Sequence, residues 1–177
     1  MVVFNTATQM WEPEIIKIDF GLGYTWLGCV VMADKFYMRD NENSFVYDPK
    51  ERKWEKDEML NSNKWMHACV VDDVLYNHYT DEKEIRAYDP KQRCWRVVKG
   101  LEELFSERME FSRTVTYGGK LLLLFSKVFR KKPLEIFYVE ISLERNQRRE
   151  IWGKVEWSDH VWNAVKFDWN KPLAVVV

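Results

Sequence analysis

The feature that most constrains the fold is a short element that recurs about every 40 residues. An aromatic residue is followed seven residues later by a tryptophan in three places, and Trp11, Trp54 and Trp95 lie 43 and 41 residues apart. A second pattern, in which a small residue and Cys-Val-Val precede an aromatic, occurs at 28–37 and again at 68–76. Two independent markers that share one period indicate an internally repeated fold.

Each unit of the repeat is predicted to form four short strands. Apolar and β-branched runs alternate with polar or charged segments, which is the pattern of strands joined by tight turns. The turn at Asp89-Pro90 has a clear mechanism, because Asp accepts backbone hydrogen bonds at the first position and Pro fixes φ at the second. Only 101–109 has a spacing that would allow a helical turn or two. The strands predicted in the third unit are 65–72, 74–79, 85–88 and 94–98.

A repeated four-stranded unit of about this length is typical of a β-propeller. We therefore predict an all-β fold, a partial propeller with three full four-stranded blades plus two half-blades, in one domain. The nine Trp, eight Tyr and ten Phe are expected to fill the wedges between stacked blades. The predicted boundaries are a half-blade at 1–12, blades at about 24–58, 64–99 and 112–157, and terminal strands at 160–177. The repeat residues expected to be structural are Trp11, Tyr47, Asp48, Pro49, Trp54, Tyr88, Asp89, Pro90, Trp95 and Trp152.

Composition excludes several classes of protein. The chain has 177 residues, about one domain, and 27 basic against 28 acidic residues, so we expect neither nucleic acid nor a membrane surface as partner. The longest apolar run, 121–125, is too short to cross a bilayer, and no secretory signal is visible. Three scattered cysteines and no N-glycosylation motif fit a reducing compartment. We expect a soluble intracellular protein, cytoplasmic or nuclear.

The sequence offers little sign of catalytic or metal chemistry. His67, His78 and His160 show no metal-ligand spacing, and neither a Cys-x-x-Cys pair nor a Gly-x-Ser-x-Gly element is present. Cys29 and Cys69 occupy equivalent places in the repeat, where a small apolar residue needs no chemistry. We therefore predict no catalytic residue, no cofactor and no bound metal, and a protein that is not an enzyme.

The aromatic-Asp-Pro-x-x-x-x-Trp element resembles the third and fourth strands of a kelch repeat. The segments 88–104 and 140–157 resemble the last blades of plant F-box/kelch-repeat proteins, although the Gly-Gly doublets usual in kelch repeats are missing. The resemblance implies a partial kelch-type β-propeller. It also implies a non-enzymatic protein-interaction module, the substrate-recruiting region of a ubiquitin-ligase adaptor. No F-box, the helical module that docks onto the ligase scaffold, is recognisable in the sequence. We therefore expect the chain to be a truncated carboxyl-terminal portion of such a protein. Binding to the scaffold would require an F-box.

The binding site is expected on the face formed by loops between the second and third strands and by the connections between blades. These loops vary between units, whereas the turns at the other end are alike, and diverse loops on a rigid scaffold commonly carry binding sites. The basic stretch 127–132 is interpreted as a solvated loop, with a patch for nucleic acid or an acidic partner as the alternative. For Trp65 the alternative is packing between blades. The candidate contacts with an unknown protein target are Trp65, His78, Tyr79, Arg113 and Arg130.

Two other functions stay open at this point. A propeller enzyme of the carbohydrate-oxidase or sugar-acid isomerase type would be favoured by a cluster of His, Tyr and carboxylate groups in the central channel. A free-standing kelch scaffold would bind targets without delivering them to a ligase.

Overall fold

The structure is a computed structural model that describes residues 4–12, 21, 26–106, 109, 111–127 and 134–164. Within these ranges the regular secondary structure is β-strand, apart from a four-residue helix α1 (Glu58–Asn61) and a 3-10 turn (Leu104–Ser106). The strands are β1 (Phe4–Asn5), β2 (Met10–Trp11), β3 (Gly28–Met32), β4 (Lys35–Arg39), β5 (Ser44–Asp48), β6 (Lys53–Lys56), β7 (Cys69–Val71), β8 (Val74–Tyr79), β9 (Glu84–Asp89), β10 (Cys94–Lys99), β11 (Phe111–Tyr117), β12 (Lys120–Lys127), β13 (Leu134–Arg145) and β14 (Ile151–Ala164).

The strands form three antiparallel meanders of four strands each, which we call blade 2 (β3–β6), blade 3 (β7–β10) and blade 4 (β11–β14). Strands β1 and β2 pair with each other and form half-blade 1. This arrangement confirms the predicted partial β-propeller. The second predicted half-blade fell on 160–177, but β14 continues to Ala164. Residues 160–164 therefore extend blade 4 instead of beginning a new strand, and 165–177 lie outside the described residues.

Blades 3 and 4 are joined into one continuous sheet of eight strands, which the repeat did not predict. Strand β10 pairs in parallel with the start of β14, where Val98 lies opposite Ile151 and Lys99 opposite Trp152. Gly100 follows directly with φ of +81°, and a Cβ at this position would lie 2.8 Å from the carbonyl oxygen of Gly153. Only glycine tolerates both this backbone conformation and this close approach. The junction therefore depends on contacts between residues about 50 positions apart in the sequence.

The repeated aromatic-to-Trp element forms the same cross-strand pair three times. Phe4 lies opposite Trp11, Tyr47 opposite Trp54, and Tyr88 opposite Trp95, with ring centroids 5.0, 4.9 and 5.3 Å apart. Such aromatic pairs across neighbouring strands stabilise antiparallel sheets. Their burial differs, since Trp54 and Trp95 are half-buried whereas Trp11 is 64% exposed. Repetition of the local geometry therefore does not place every tryptophan between two blades.

The turns within these elements also repeat in atomic detail. Asp48 Oδ1 accepts hydrogen bonds from the backbone N–H groups two and three residues later, at 2.9 and 3.2 Å. Asp89 Oδ1 accepts the equivalent bonds at 2.9 and 3.3 Å, and Asn5 Oδ1 does so at 3.0 and 3.1 Å. The fourth residue after each of these adopts a positive φ. The short polar side chain at the first position therefore organises each turn.

Two hydrophobic cores lie between consecutive blades. The core between blades 2 and 3 holds the fully buried Trp65 and Tyr88, together with Leu60 and Leu75. The core between blades 3 and 4 is mainly aliphatic, and Leu121, Leu123 and Ile141 are inaccessible to solvent. Blade 3 thus buries one face against blade 2 and the other against blade 4, as stacked sheets require. No helix among the described residues is long and apolar enough to cross a membrane.

Candidate partner-binding site

Antiparallel connections sort the loops of the blades into two opposite faces. The loops that join the second and third strands of blades 2 and 3, at 40–43 and 80–83, lie at the same end as the connections between blades. The uniform turns at 49–52 and 90–93 lie at the other end. We call the first end, which carries loops of different sequence, the variable face.

A cleft of about 530 Å³ opens on the variable face beside blades 3 and 4. Its walls come from the connection before blade 3, from the β8–β9 loop, and from the start of β11. The predicted contacts His78 and Tyr79 both line it, so the structure brings these two together. The lining residues are Ser62, Asn63, Lys64, Met66, His67, Asn77, His78, Tyr79, Thr80, Asp81, Glu82, Arg86, Phe111 and Ser112.

His78 is held in a defined orientation at the base of the cleft. Its Nδ1 lies 2.6 Å from Ser112 Oγ, and its ring stacks on Phe105 with centroids 4.8 Å apart. The Nε2 atom is buried and has no hydrogen-bond partner among the described residues. Burial lowers the pKa of His78 from its ordinary value of 6.5 to about 4. The imidazole is therefore neutral at pH 7, and it lines the cleft as a polar group in a fixed orientation.

We expect this buried imidazole to make stability depend on pH between about 6.5 and 4. In this window the unfolded chain binds a proton at His78 and the folded chain does not, so acidification favours unfolding. At about 1.4 kcal/mol per pKa unit, the free energy of unfolding should fall by about 2–3 kcal/mol from pH 7 to pH 4.5. Urea unfolding at pH 7 and at pH 4.5 measures this fall, with His78→Gln as the control that cannot titrate. Equal pH dependence in both proteins would show that His78 is protonated at pH 4.5 in the folded protein as well, and would contradict the lowered pKa.

Tyr79 and Arg86 form a second ordered pair in the cleft. The guanidinium of Arg86 lies 4.8 Å from the centroid of the Tyr79 ring, donates from Nε to Glu84, and donates from Nη1 to Asn63 Oδ1. Burial raises the pKa of Tyr79 to about 12, against the opposing effect of the nearby Arg86 charge. The cation over the ring fixes both side chains. This pair links blade 3 to the connection that precedes it.

Arg113 lies apart from this cleft, in a smaller pocket of about 130 Å³ where inner strands of the three blades meet. Its Nη1 contacts His67 Nδ1, and His67 lines both cavities. The residues around the smaller pocket are Leu27, Gly28, Cys29, Val30, Trp65, His67, Ala68, Arg113 and Thr114. This described lining holds one histidine but neither Tyr nor a carboxylate.

Trp65 was wrongly predicted to contact a partner. Its side chain is 0% exposed, and its Nε1 donates to Ser44 Oγ at 3.1 Å in the core between blades 2 and 3. The alternative reading, packing between blades, is the one that the structure supports. Arg130 lies outside the described residues, as do all residues of the basic stretch 127–132 except Lys127. The binding role of Arg130 stays a prediction.

The cleft also contains exposed apolar residues that sequence reasoning missed. Met66 is 45% exposed and Phe111 is 55% exposed, and they lie among mostly polar lining residues. Met66 is followed by His67 at φ of +56°, a left-handed conformation that is uncommon outside glycine. Trp65 and Met66 both precede β7, which begins at Cys69, so no strand alternation could show that Trp65 is buried and Met66 exposed.

The cysteines differ in environment despite two of them sharing a place in the repeat. Cys29 is exposed, Cys69 is buried, and Cys94 is intermediate. Burial raises the pKa of the Cys69 thiol to about 11, which makes it unreactive at neutral pH. No group of three or more His, Cys, Asp or Glu side chains that could hold a metal ion occurs in the part of the chain that the structure describes.

Comparison with known proteins agrees with this architecture. The family model described as FKB95, Kelch-repeats domain, matches residues 1–162. The chain belongs to this family. Its blades are therefore kelch repeats, and the predicted relationship to plant F-box/kelch-repeat proteins is confirmed.

Relatives from Arabidopsis thaliana match most of the chain. F-box/kelch-repeat protein At4g38940 is 46% identical over 162 residues, covering 91% of this chain and 43% of the relative. Putative F-box/kelch-repeat protein At3g27910 is 36% identical, with 88% of this chain and 42% of the relative covered. F-box/kelch-repeat protein At4g39240 is 35% identical, with 89% and 41% covered. The chain thus spans about two fifths of the length of the curated relatives it matches.

Proposed function

We propose that the cleft on the variable face binds a protein target and that the chain performs no catalysis. The observation that carries this proposal is the exposure of Met66 and Phe111, 45% and 55%, within a cleft of ordered polar side chains. Exposed apolar groups surrounded by a polar rim are the usual composition of protein-binding sites. His78 and the Tyr79–Arg86 pair give the walls a fixed shape, which reduces the entropy lost on binding.

The role in the cell is proposed from the relatives. Their names combine an F-box with kelch repeats, and in such adaptors the F-box docks onto a ubiquitin-ligase scaffold while the propeller recruits the target. We propose that this chain corresponds to the substrate-recruiting part and that it acts in the cytoplasm or nucleus. Its three scattered cysteines fit that reducing environment.

The binding proposal is tested by affinity capture with quantitative mass spectrometry. The double variant Met66→Ala/Phe111→Ala should reduce capture of a specific target about tenfold or more, since central apolar contacts often contribute over 1.4 kcal/mol. The matched control is Met59→Ala/Val97→Ala, whose side chains are 47% and 44% exposed and do not line the cleft. If every captured protein is retained by the cleft variant, binding occurs elsewhere and the proposal fails.

The adaptor role has its own test. Joining the F-box of a relative to this chain should promote ubiquitination of the captured target, and the Met66→Ala/Phe111→Ala version of the fusion should not. The 177-residue chain alone should bind the target without binding the linker subunit of the ligase. Robust binding of that subunit by the chain alone, or an unmodified target with the fusion, would contradict the adaptor role while leaving target binding intact.

A further inference from the structure

A cavity of about 260 Å³ lies at the junction of blades 3 and 4. Its walls come from the β9–β10 turn of blade 3 and from the β13–β14 turn of blade 4, so it lies at the end of the blades opposite to the variable face. Two of its lining residues, Ala87 and Ile151, are buried and belong to the core between these blades. The cavity shares no lining residue with the candidate partner-binding cleft.

Three arginines from different parts of the fold line this cavity. Arg96 belongs to β10, Arg145 ends β13, and Arg149 lies in the turn that follows. The lining holds one carboxylate, that of Asp89. Because arginine stays protonated in proteins, the lining carries three positive charges and one negative charge. The whole chain has a net charge of −1, so this concentration of positive charge is local.

The contacts of these guanidinium groups leave most of the positive charge uncompensated. Arg145 Nη1 lies 3.3 Å from Asp89 Oδ2, and this is an ion pair. Arg96 Nη2 donates to the neutral amide oxygen of Gln92 at 2.8 Å. The side chain of Arg149 makes no ion pair with any residue that the structure describes. Like charges that are held together repel one another, so an anion bound among them would stabilise the folded chain.

The turn that carries Arg149 is held in place by its own hydrogen bonds. Asn146 Oδ1 accepts the backbone N–H of Glu150 at 2.9 Å, and Asn146 Nδ2 donates to the Glu150 carboxylate at 2.7 Å. The backbone N–H of Arg149 donates to the carbonyl oxygen of Asn146 at 2.9 Å. Glu150 also pairs with Lys99 and does not line the cavity. Binding of an anion would therefore require little ordering of the backbone.

We propose that this cavity, which we call the arginine pocket, binds a phosphomonoester group, with Arg96, Arg145 and Arg149 as its contacts. A phosphomonoester carries about −1.5 to −2 charges at pH 7 and has three strong acceptor oxygens. That charge matches the excess positive charge of the lining, and planar guanidinium groups suit bidentate bonds to phosphate. A carboxylate or a phosphodiester has a single negative charge and would compensate only about half of the excess. Two sources supply this group, a phosphorylated small molecule and a phosphorylated side chain of a protein.

Calorimetric titration of the full chain at pH 7.5 with phenyl phosphate and with phenyl sulfate tests the proposal. The two probes have similar shapes, but phenyl sulfate carries one negative charge, so it should bind about tenfold more weakly or less. Arg96→Gln and Arg149→Gln should each weaken phenyl phosphate binding about tenfold, the usual effect of losing one charge-assisted hydrogen bond. Arg148→Gln is the matched control, because it removes the same charge from the same turn but does not line the pocket. No binding of phenyl phosphate, equal affinity for both probes, or an equal loss in the control would overturn the proposal.

Asp89→Asn gives a change in the opposite direction. Asparagine keeps the turn, since Asn5 accepts the same two backbone bonds in half-blade 1, and it removes the one negative charge of the lining. The affinity for phenyl phosphate should therefore rise about threefold or more. A gain of affinity does not arise from misfolding, and circular dichroism verifies that each variant is folded. Unchanged or lower affinity in the folded Asp89→Asn protein would contradict the proposal.

A phosphopeptide distinguishes the two sources of the group. The probe is a capped pentapeptide with a central phosphoserine between glycines, and its unphosphorylated form is the control. Affinity equal to or above that of phenyl phosphate identifies a phosphorylated side chain of a protein as the ligand. Exclusion of the peptide, with phenyl phosphate bound, identifies a small phosphorylated molecule. The Met66→Ala/Phe111→Ala variant should keep its affinity for phenyl phosphate, so failure of the partner-binding proposal leaves this one intact.

Discussion

Trp65→Ala is expected to lower the free energy of unfolding by about 3–5 kcal/mol, the usual loss for a large aromatic removed from a core. The indole is 0% exposed and packs among the buried side chains between blades 2 and 3. It also lies so close to Gly28 that a Cβ there would be 2.7 Å from the ring. Removing the ring leaves a cavity beneath β3 that the neighbouring backbone cannot fill, and it deprives Ser44 Oγ of its indole donor.

Urea unfolding followed by circular dichroism measures this loss without relying on tryptophan fluorescence. Trp152→Ala is the matched control, because Trp152 is 46% exposed and should cost less than about 1 kcal/mol. Trp65→Phe keeps much of the ring volume but loses the bond to Ser44, so its stability should fall between the two. Equal losses for Trp65→Ala and Trp152→Ala would contradict the assignment of Trp65 to the core.

The strands and turns of the blades could be predicted from the sequence because they follow local patterns. Alternating apolar residues and an Asp at the start of a turn act within a few positions of the chain, and the turns at Asp48 and Asp89 show the bonds that such residues make. The junction of β10 with β14 could not be predicted in this way. It depends on Gly100 meeting Gly153 across about 50 residues of intervening chain.

In the candidate site, too, local patterns could be predicted from the sequence and contacts between distant residues could not. The position of His78 and Tyr79 in the cleft could be predicted because they end a strand beside a loop that varies between units. For Trp65 the sequence left a partner contact and packing between blades both open, and only the structure places the side chain in the core. Arg86 could not be recognised, since its role comes from the Tyr79 ring and Asn63, which belong to different elements. Sequence patterns therefore indicate which face carries the cleft, but not which side chains shape it.

Asp57→Ala is expected to lower the free energy of unfolding by about 2–4 kcal/mol, as the sum of two separate losses. Asp57 is 3% exposed, and its Oδ1 accepts the N–H of Leu60 at 2.9 Å, which caps α1. Its Oδ2 accepts the hydroxyl of Tyr88 at 2.6 Å. Alanine removes the cap and leaves that buried hydroxyl without its acceptor. The half-exposed Arg93, 3.5 Å from Oδ1, adds little.

A double-mutant cycle with Tyr88→Phe separates these two contributions. Once the hydroxyl is absent, Asp57→Ala should cost only the cap, about 1 kcal/mol, so the two changes should couple by about 1–2 kcal/mol. Asp57→Asn retains an acceptor for the cap and should be milder than Asp57→Ala. The carboxylate also explains why α1 forms at all, since four residues are too few for a helix without tertiary support. If the two losses of unfolding free energy are strictly additive, the Asp57–Tyr88 hydrogen bond contributes nothing to stability. In that case α1 depends only on its cap and on the buried Leu60.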